Sequence, residues 1–248
     1  MAKDHSSRRI TRESRNSRSI KPEKFILYVE GRNTEPSYFK QLKKANCKIE
    51  PVPIRGSGIG SCVTFVEDAD AKFRSLSKSK KAEYKERWLV FDYDGHEDFA
   101  EAVKKGRELG FSVAFSSMCI EYWFLLHFEN HDGRPIPMVG DSHSQAQINI
   151  INKHIRRYNR TSNCEVPLYD INSKVVTDDF FDLLMAVDPI THKRRIINAL
   201  ERAKAIHEQK KINGAEFNES VTSIYELLLK LGVFDWNEDT KSYTLFEK

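Results

Sequence analysis

The chain has 248 residues, 40% hydrophobic and 31% charged, with a net charge of +4. That length and apolar share suffice for a buried core and exclude a chain too polar to fold. No apolar run nears the roughly 20 residues a membrane helix needs, no apolar stretch of secretory type follows the charged N-terminus, and Cys47, Cys62, Cys119 and Cys164 are scattered without a CxxC pair; a cytoplasmic protein with reduced thiols is expected.

Residues 1–24 carry eight Lys and Arg against three Asp and Glu, a net +5, which leaves −1 for the rest. The segment is Ser-rich and nearly free of apolar side chains, so it is expected to be a basic disordered tail outside any core. Such an arm suits nucleic-acid phosphates, and it equally suits a solvated tail.

From Phe25 the pattern alternates. A strand over 25–30 leads into a helix from Thr34 to about residue 45, with Glu35 and Pro36 in the first turn where both are favoured. A strand over 48–54 contains Pro51 and Pro53, which predicts an edge position. The turn Arg55-Gly56-Ser57-Gly58-Ile59-Gly60-Ser61 comes before a helix over 62–79. A strand over 87–92, a helix over 97–109 closed by Gly110, a strand over 111–115 and a helix over 119–128 complete the alternation. Strands alternating with helices imply right-handed crossovers and a parallel sheet. Residues 129–141 read as a loop. Helical patterns then run over 143–158, 174–186, 189–211 and 219–231, with Gly232 as the last stop, and 242–246 reads as a short strand.

Acidic residues stand where three apolar runs end: Glu30 after the first, Asp92 and Asp94 after the run 88–91, and Glu121 after the run 111–115 and a short turn. In a parallel sheet these ends share the carboxyl edge, where open α/β sheets bind ligands. Clustered carboxylates repel unless a cation sits among them, and Mg²⁺ or Mn²⁺ accepts such oxygen ligands. Glu35 and Glu121 also fit a simpler role, favouring the N-terminal turns of their own helices.

Glu30-Gly31 followed by Asp92-x-Asp94 resembles the Toprim pattern of topoisomerases, primases and overcoming-lysogenization-defect nucleases. More specifically, Glu30-Gly-Arg-Asn-Thr34-Glu35-Pro36-x-Tyr38-Phe39, Phe91-Asp92-x-Asp94, and Ser117-x-Cys119-x-Glu121-x-Trp123-x-x-x-His127-Phe128 are similar to the RloB-like family, Toprim-related proteins of bacterial phage-defence loci. The resemblance spans about residues 22–130. One departure is Ser116-Ser117-Met118-Cys119, where the family pattern carries Ser-Asn-Pro-Cys.

The resemblance implies an α/β fold: a Toprim-like parallel sheet flanked by helices over 25–130, with a mainly helical C-terminal extension over 131–248. It implies a metal-dependent nuclease acting on DNA or on RNA such as tRNA. Its catalytic centre would comprise Glu30, Glu35, Asp92, Asp94, Glu121 and His127, with Glu30, Asp92, Asp94 and Glu121 holding Mg²⁺ or Mn²⁺. Read without the resemblance, His127 is a core histidine bonded to backbone. Arg32 is the nearest cation for a phosphate, and no lysine stands out for that role.

Arg55, Gly56, Ser57 and Gly58 could cradle a backbone phosphate, or form a plain turn. The motif is not a P-loop, which fits the family's frequent pairing with a partner ATPase. A homo-oligomer is allowed. Lys153, Arg156, Arg157 and Arg160 around Tyr158, and His192 to Arg195 with Arg202, make basic stretches that read either as nucleic-acid contacts or as solvated helix faces. The rival reading is a non-catalytic nucleic-acid-binding or sensor subunit of a defence complex.

Overall fold

A computed structural model describes residues 23–44, 47–54, 61–93, 95–140, 142–217 and 220–245. Four strands, β1 (Lys24–Val29), β2 (Ile49–Pro53), β3 (Tyr84–Asp92) and β4 (Ser112–Ser116), form one parallel sheet in the order β2-β1-β3-β4. β1 is apolar from Phe25 to Val29 and β3 from Trp88 to Phe91, as strand segments covered on both faces must be. Around them pack α1 (Thr34–Lys44), α2 (Cys62–Ser75), the short α3 (Lys78–Lys81), α4 (Phe99–Glu108) and α5 (Glu121–Leu125). The two prolines do place β2 at an edge, where missing donors cost little.

The opposite edge is closed by the C-terminal half. Ser116 bridges antiparallel to Thr222. Phe115 N–H donates to Ser223 Oγ (2.9 Å), and Ser223 N–H donates back to Phe115 O (2.8 Å). That half contains α6 (His143–Ser162), α7 (Asp178–Met185), α8 (Arg195–Ile212), α9 (Ile224–Lys230) and a hairpin of β5 (Phe234–Asn237) with β6 (Ser242–Leu245). The change of pattern near residue 130 marks a change of element type, and a single apolar cluster runs through both halves. The architecture is the expected one, α/β with a parallel sheet and further helices toward the C-terminus, consistent with a Toprim-like fold.

Several expected elements differ in extent: the 219–231 helix spans only Ile224–Lys230, and the 143–158 helix runs on to Ser162. The 62–79 helix breaks at Leu76, which is extended, and the Ser77 side chain accepts from Lys80 N–H to start α3. A good N-cap beside three closely spaced lysines outweighs continuation. The 119–128 helix is regular only to Leu125; Leu126 to Phe128 follow as tight turns. The 174–186 helix starts at Asp178 behind a Thr177 cap, leaving 174–177 as irregular chain. The 189–211 helix starts at Arg195, because Asp188 Oδ1 accepts from Ile190 and Thr191 N–H and folds 188–194 into a turn. Phe234–Asn237, the partner strand of β6, was not expected.

Candidate functional site

The carboxyl ends of β1, β3 and β4 open into one cleft of about 580 Å³. Glu30 leaves β1, and its Oε2 accepts from Asp92 N–H (3.3 Å) at the end of β3. Asp92 Oδ2 accepts from Ile120 N–H (3.0 Å), which fastens the turn between β4 and α5. That bond holds the turn that contains Met118. Glu121 then opens α5 almost fully buried. Glu35, near the start of α1, bends back so that its Oε1 accepts from Gly31 N–H (3.1 Å). A Cβ at Gly31 would overlap that carboxylate, so any other residue there would displace the Glu35 side chain. Burial, with Glu121 and Glu30 close by, pushes Glu35 up to about 7 against the pull of backbone N–H groups.

The opposite wall comes from outside the sheet. Residues 164–177, between α6 and α7, run as a strap along α6. Two α6 asparagines hold it, each using both side-chain atoms. Asn159 pairs with both backbone groups of Val166. Asn152 does the same for Tyr169, donating to its carbonyl (2.9 Å) and accepting from its N–H (2.8 Å). Tyr169 Oη lies 3.1 Å from Lys174 O and 3.4 Å from both Thr34 Oγ1 and Glu121 Oε1. Burial and then Glu121 push its hydroxyl well above the usual range, so it stays protonated. Lys174 Nζ donates to Ser144 Oγ (2.9 Å) in the first turn of α6. Ser142, His143, Ser144 and Lys174 all line the cleft.

Of the expected site residues, the structure brings Glu30, Glu35, Asp92, Glu121 and Arg32 together, with Arg32 exposed at the rim. Asp94, the glycine loop Arg55, Gly56, Ser57 and Gly58, and the tail over 1–22 lie outside the described residues. His127 is placed in the core. It is fully buried, its Nδ1 is 2.9 Å from Trp123 O, and it is absent from the cleft lining. Burial, with Arg202 and Arg195 nearby, lowers it to about 3. Arg156, Arg157 and Arg160 are exposed along α6. Tyr158 already carries the Arg195 guanidinium over its ring at 5.3 Å, and Arg195 is itself buried, so neither is a free contact for bases. Arg202 likewise donates inward, to Leu126 O and Asn130 Oδ1.

Lys174, Ser144 and Tyr169 were missed. They lie in a loop and at a helix start, with no strand-end pattern to single them out.

The all-oxygen acidic set fits a hard divalent cation such as Mg²⁺ by donor chemistry. Among the described residues, however, no three acid, His or Cys side chains are gathered closely enough to hold one. A family model described as RloB-like protein matches residues 25–231. No curated protein and no solved structure matches.

Proposed function

The chain belongs to the RloB-like family, and from that premise and the acidic cleft we propose that it is a divalent-cation-dependent nuclease. The carrying observation is that Glu30, Glu35, Asp92 and Glu121 meet in one cleft at the carboxyl edge of a parallel sheet. Mg²⁺ or Mn²⁺ would be held by Glu30 and Asp92, with Asp94, and with Glu121 and Glu35 beside them. Bound there, the cation supplies neutralisation of phosphate charge and activation of water. Glu30 would take a proton from the attacking water or act as a ligand. Burial and its neighbouring acids push Glu35 up to about 7, so it would give up a proton more readily with positive charge beside it.

The substrate in this reading is a polymer, DNA or RNA such as tRNA. α6 starts at the cleft, and its exposed Lys153, Arg156, Arg157 and Arg160 extend roughly 25 Å from it at 1.5 Å per residue, a track for several phosphates. The role in anti-phage defence, with a P-loop ATPase supplied by a partner, is part of the proposal and is supported by family membership alone.

A second reading, a nucleic-acid-binding subunit that does not cut, rests on the exposed basic residues of α6 beside the cleft. Cleavage assays on DNA and RNA with Mg²⁺ or Mn²⁺, alone and with the neighbour-encoded partner, separate the two. The Asp92→Ala/Asp94→Ala double variant is expected to lower cleavage at least ~100-fold while remaining folded. No cleavage by the wild type under any of these conditions rejects the nuclease; cleavage that survives the double substitution rejects the site.

A further inference from the structure

Three features of the strap and the α6 start beside it remain unexplained by the acidic centre. Lys174 points a cation into a cleft lined by four carboxylates, yet among the described residues it pairs with none of them; its partner is the neutral Ser144 hydroxyl. Its backbone is left-handed, φ 49°, which a side chain other than glycine adopts at a cost. That conformation is fixed from several sides. Lys174 N–H donates to Asp170 O (2.8 Å), the Asp170 carboxylate accepts from Asn172 and Ser173 N–H, and Tyr169 Oη donates to Lys174 O. Beside it, His143 Nδ1 is buried with no hydrogen-bond partner among the described residues.

We propose that the strap builds a phosphate-holding subsite, in which Lys174, steadied by Ser144 and flanked by His143, takes a phosphate oxygen of the bound strand opposite the acids. A phosphate drawn toward carboxylates needs a fixed cation to offset them, and an ammonium that no carboxylate among the described residues has neutralised supplies it. The Ser144 bond is replaceable by a phosphate oxygen with little motion, because the hydroxyl still has Ser142 Oγ at 3.0 Å. His143 Nδ1 opens α6, where the helix dipole also favours an anion. Lys174 thereby fills the role for which the sequence offered no lysine.

The proposal rests on the nuclease reading for the identity of the anion as nucleic-acid phosphate, and its test does not require cutting. In the full-length protein with EDTA, lysine acylation read by mass spectrometry should show Lys174 protected by a phosphorothioate single strand. Lys104, exposed on α4, should stay unprotected. Lys174→Ala should weaken binding of that strand about tenfold, Lys174→Arg should recover much of it, and both should melt as the wild type does. Protection of Lys174 in a protein that cuts nothing would uphold the subsite and reject the nuclease. An unprotected Lys174, with Lys174→Ala binding like wild type, would overturn the subsite even if Asp92→Ala abolishes cleavage.

Discussion

At the residue scale, the acids and the histidine of the family-like blocks separate. Glu35 lies over Gly31, so Glu30-Gly31 and Glu35 form one local unit: a Cβ at 31 would push the Glu35 carboxylate off the Gly31 N–H. His127 belongs to the same sequence block as Glu121 but answers to the core. Its Nδ1–H donates to Trp123 O, and its ring stands edge-on to Trp123 at 4.9 Å. The signal that nominated it, four residues after Trp123, is also the spacing that turns it inward. Because burial lowers His127 from 6.5 to about 3 in the folded state, folding keeps it neutral where the unfolded chain would protonate it. The associated stability is fully present above pH 6.5 and is lost as pH falls from there toward 3. His127→Gln is therefore expected to flatten the acid limb of a melting-temperature profile between pH 7 and 4, and to cost about 1–2 kcal/mol at pH 7. Cleavage at pH 7.5, well below the melting temperature, should stay within a few-fold of wild type. A stable His127→Gln protein that fails to cut would return His127 to the catalytic set.

At the element scale, what could be read from sequence divides by the range of the interaction. The strands of the sheet, their flanking helices and the edge position of β2 were legible because they rest on local signals: apolar runs, first-turn acids, prolines and stop glycines. Likewise, three strand ends sufficed to group Glu30, Asp92 and Glu121. The strap was illegible because it is held by side chains distant in sequence. Asn152 and Asn159, seven apart on one α6 face, act as an artificial strand edge for Tyr169 and Val166, and no pattern marks an asparagine for that use. The wall carrying Lys174 was missed for the same reason. Asn152→Ala removes two bonds and leaves the Tyr169 N–H and C=O unpaired, at a cost of about 1–3 kcal/mol. Amide exchange across 165–176 should accelerate by roughly one to two orders of magnitude while the sheet stays protected. Unchanged exchange in the strap would show that α7 and Tyr169, rather than the asparagines, hold it in place.

At the scale of the whole molecule, the sheet and the helices after residue 130 depend on one another. β4 would be an open edge if residues 220–223 did not bond to Phe115 and Ser117. Trp123, Phe124 and Leu125 of α5 are fully buried, and Phe124 packs against Phe180 and Tyr169 from the strap and α7. The cleft is built from both parts, with the acids from the sheet and Lys174 from the strap. A fragment ending at residue 130 would expose α5 and the β4 edge to water. At roughly 25 cal/mol per Å² of apolar surface, uncovering side chains of this size forfeits several kcal/mol, comparable to the entire stability of a small domain. We therefore expect residues 1–130 alone to lack a cooperative thermal transition, to bind a hydrophobic dye and to aggregate, whereas residues 1–245 melt cooperatively. Circular dichroism melts with dye binding measure this directly. A sharp, reversible transition for the shorter fragment would establish an independent Toprim-like domain and reduce the helical half to an attachment.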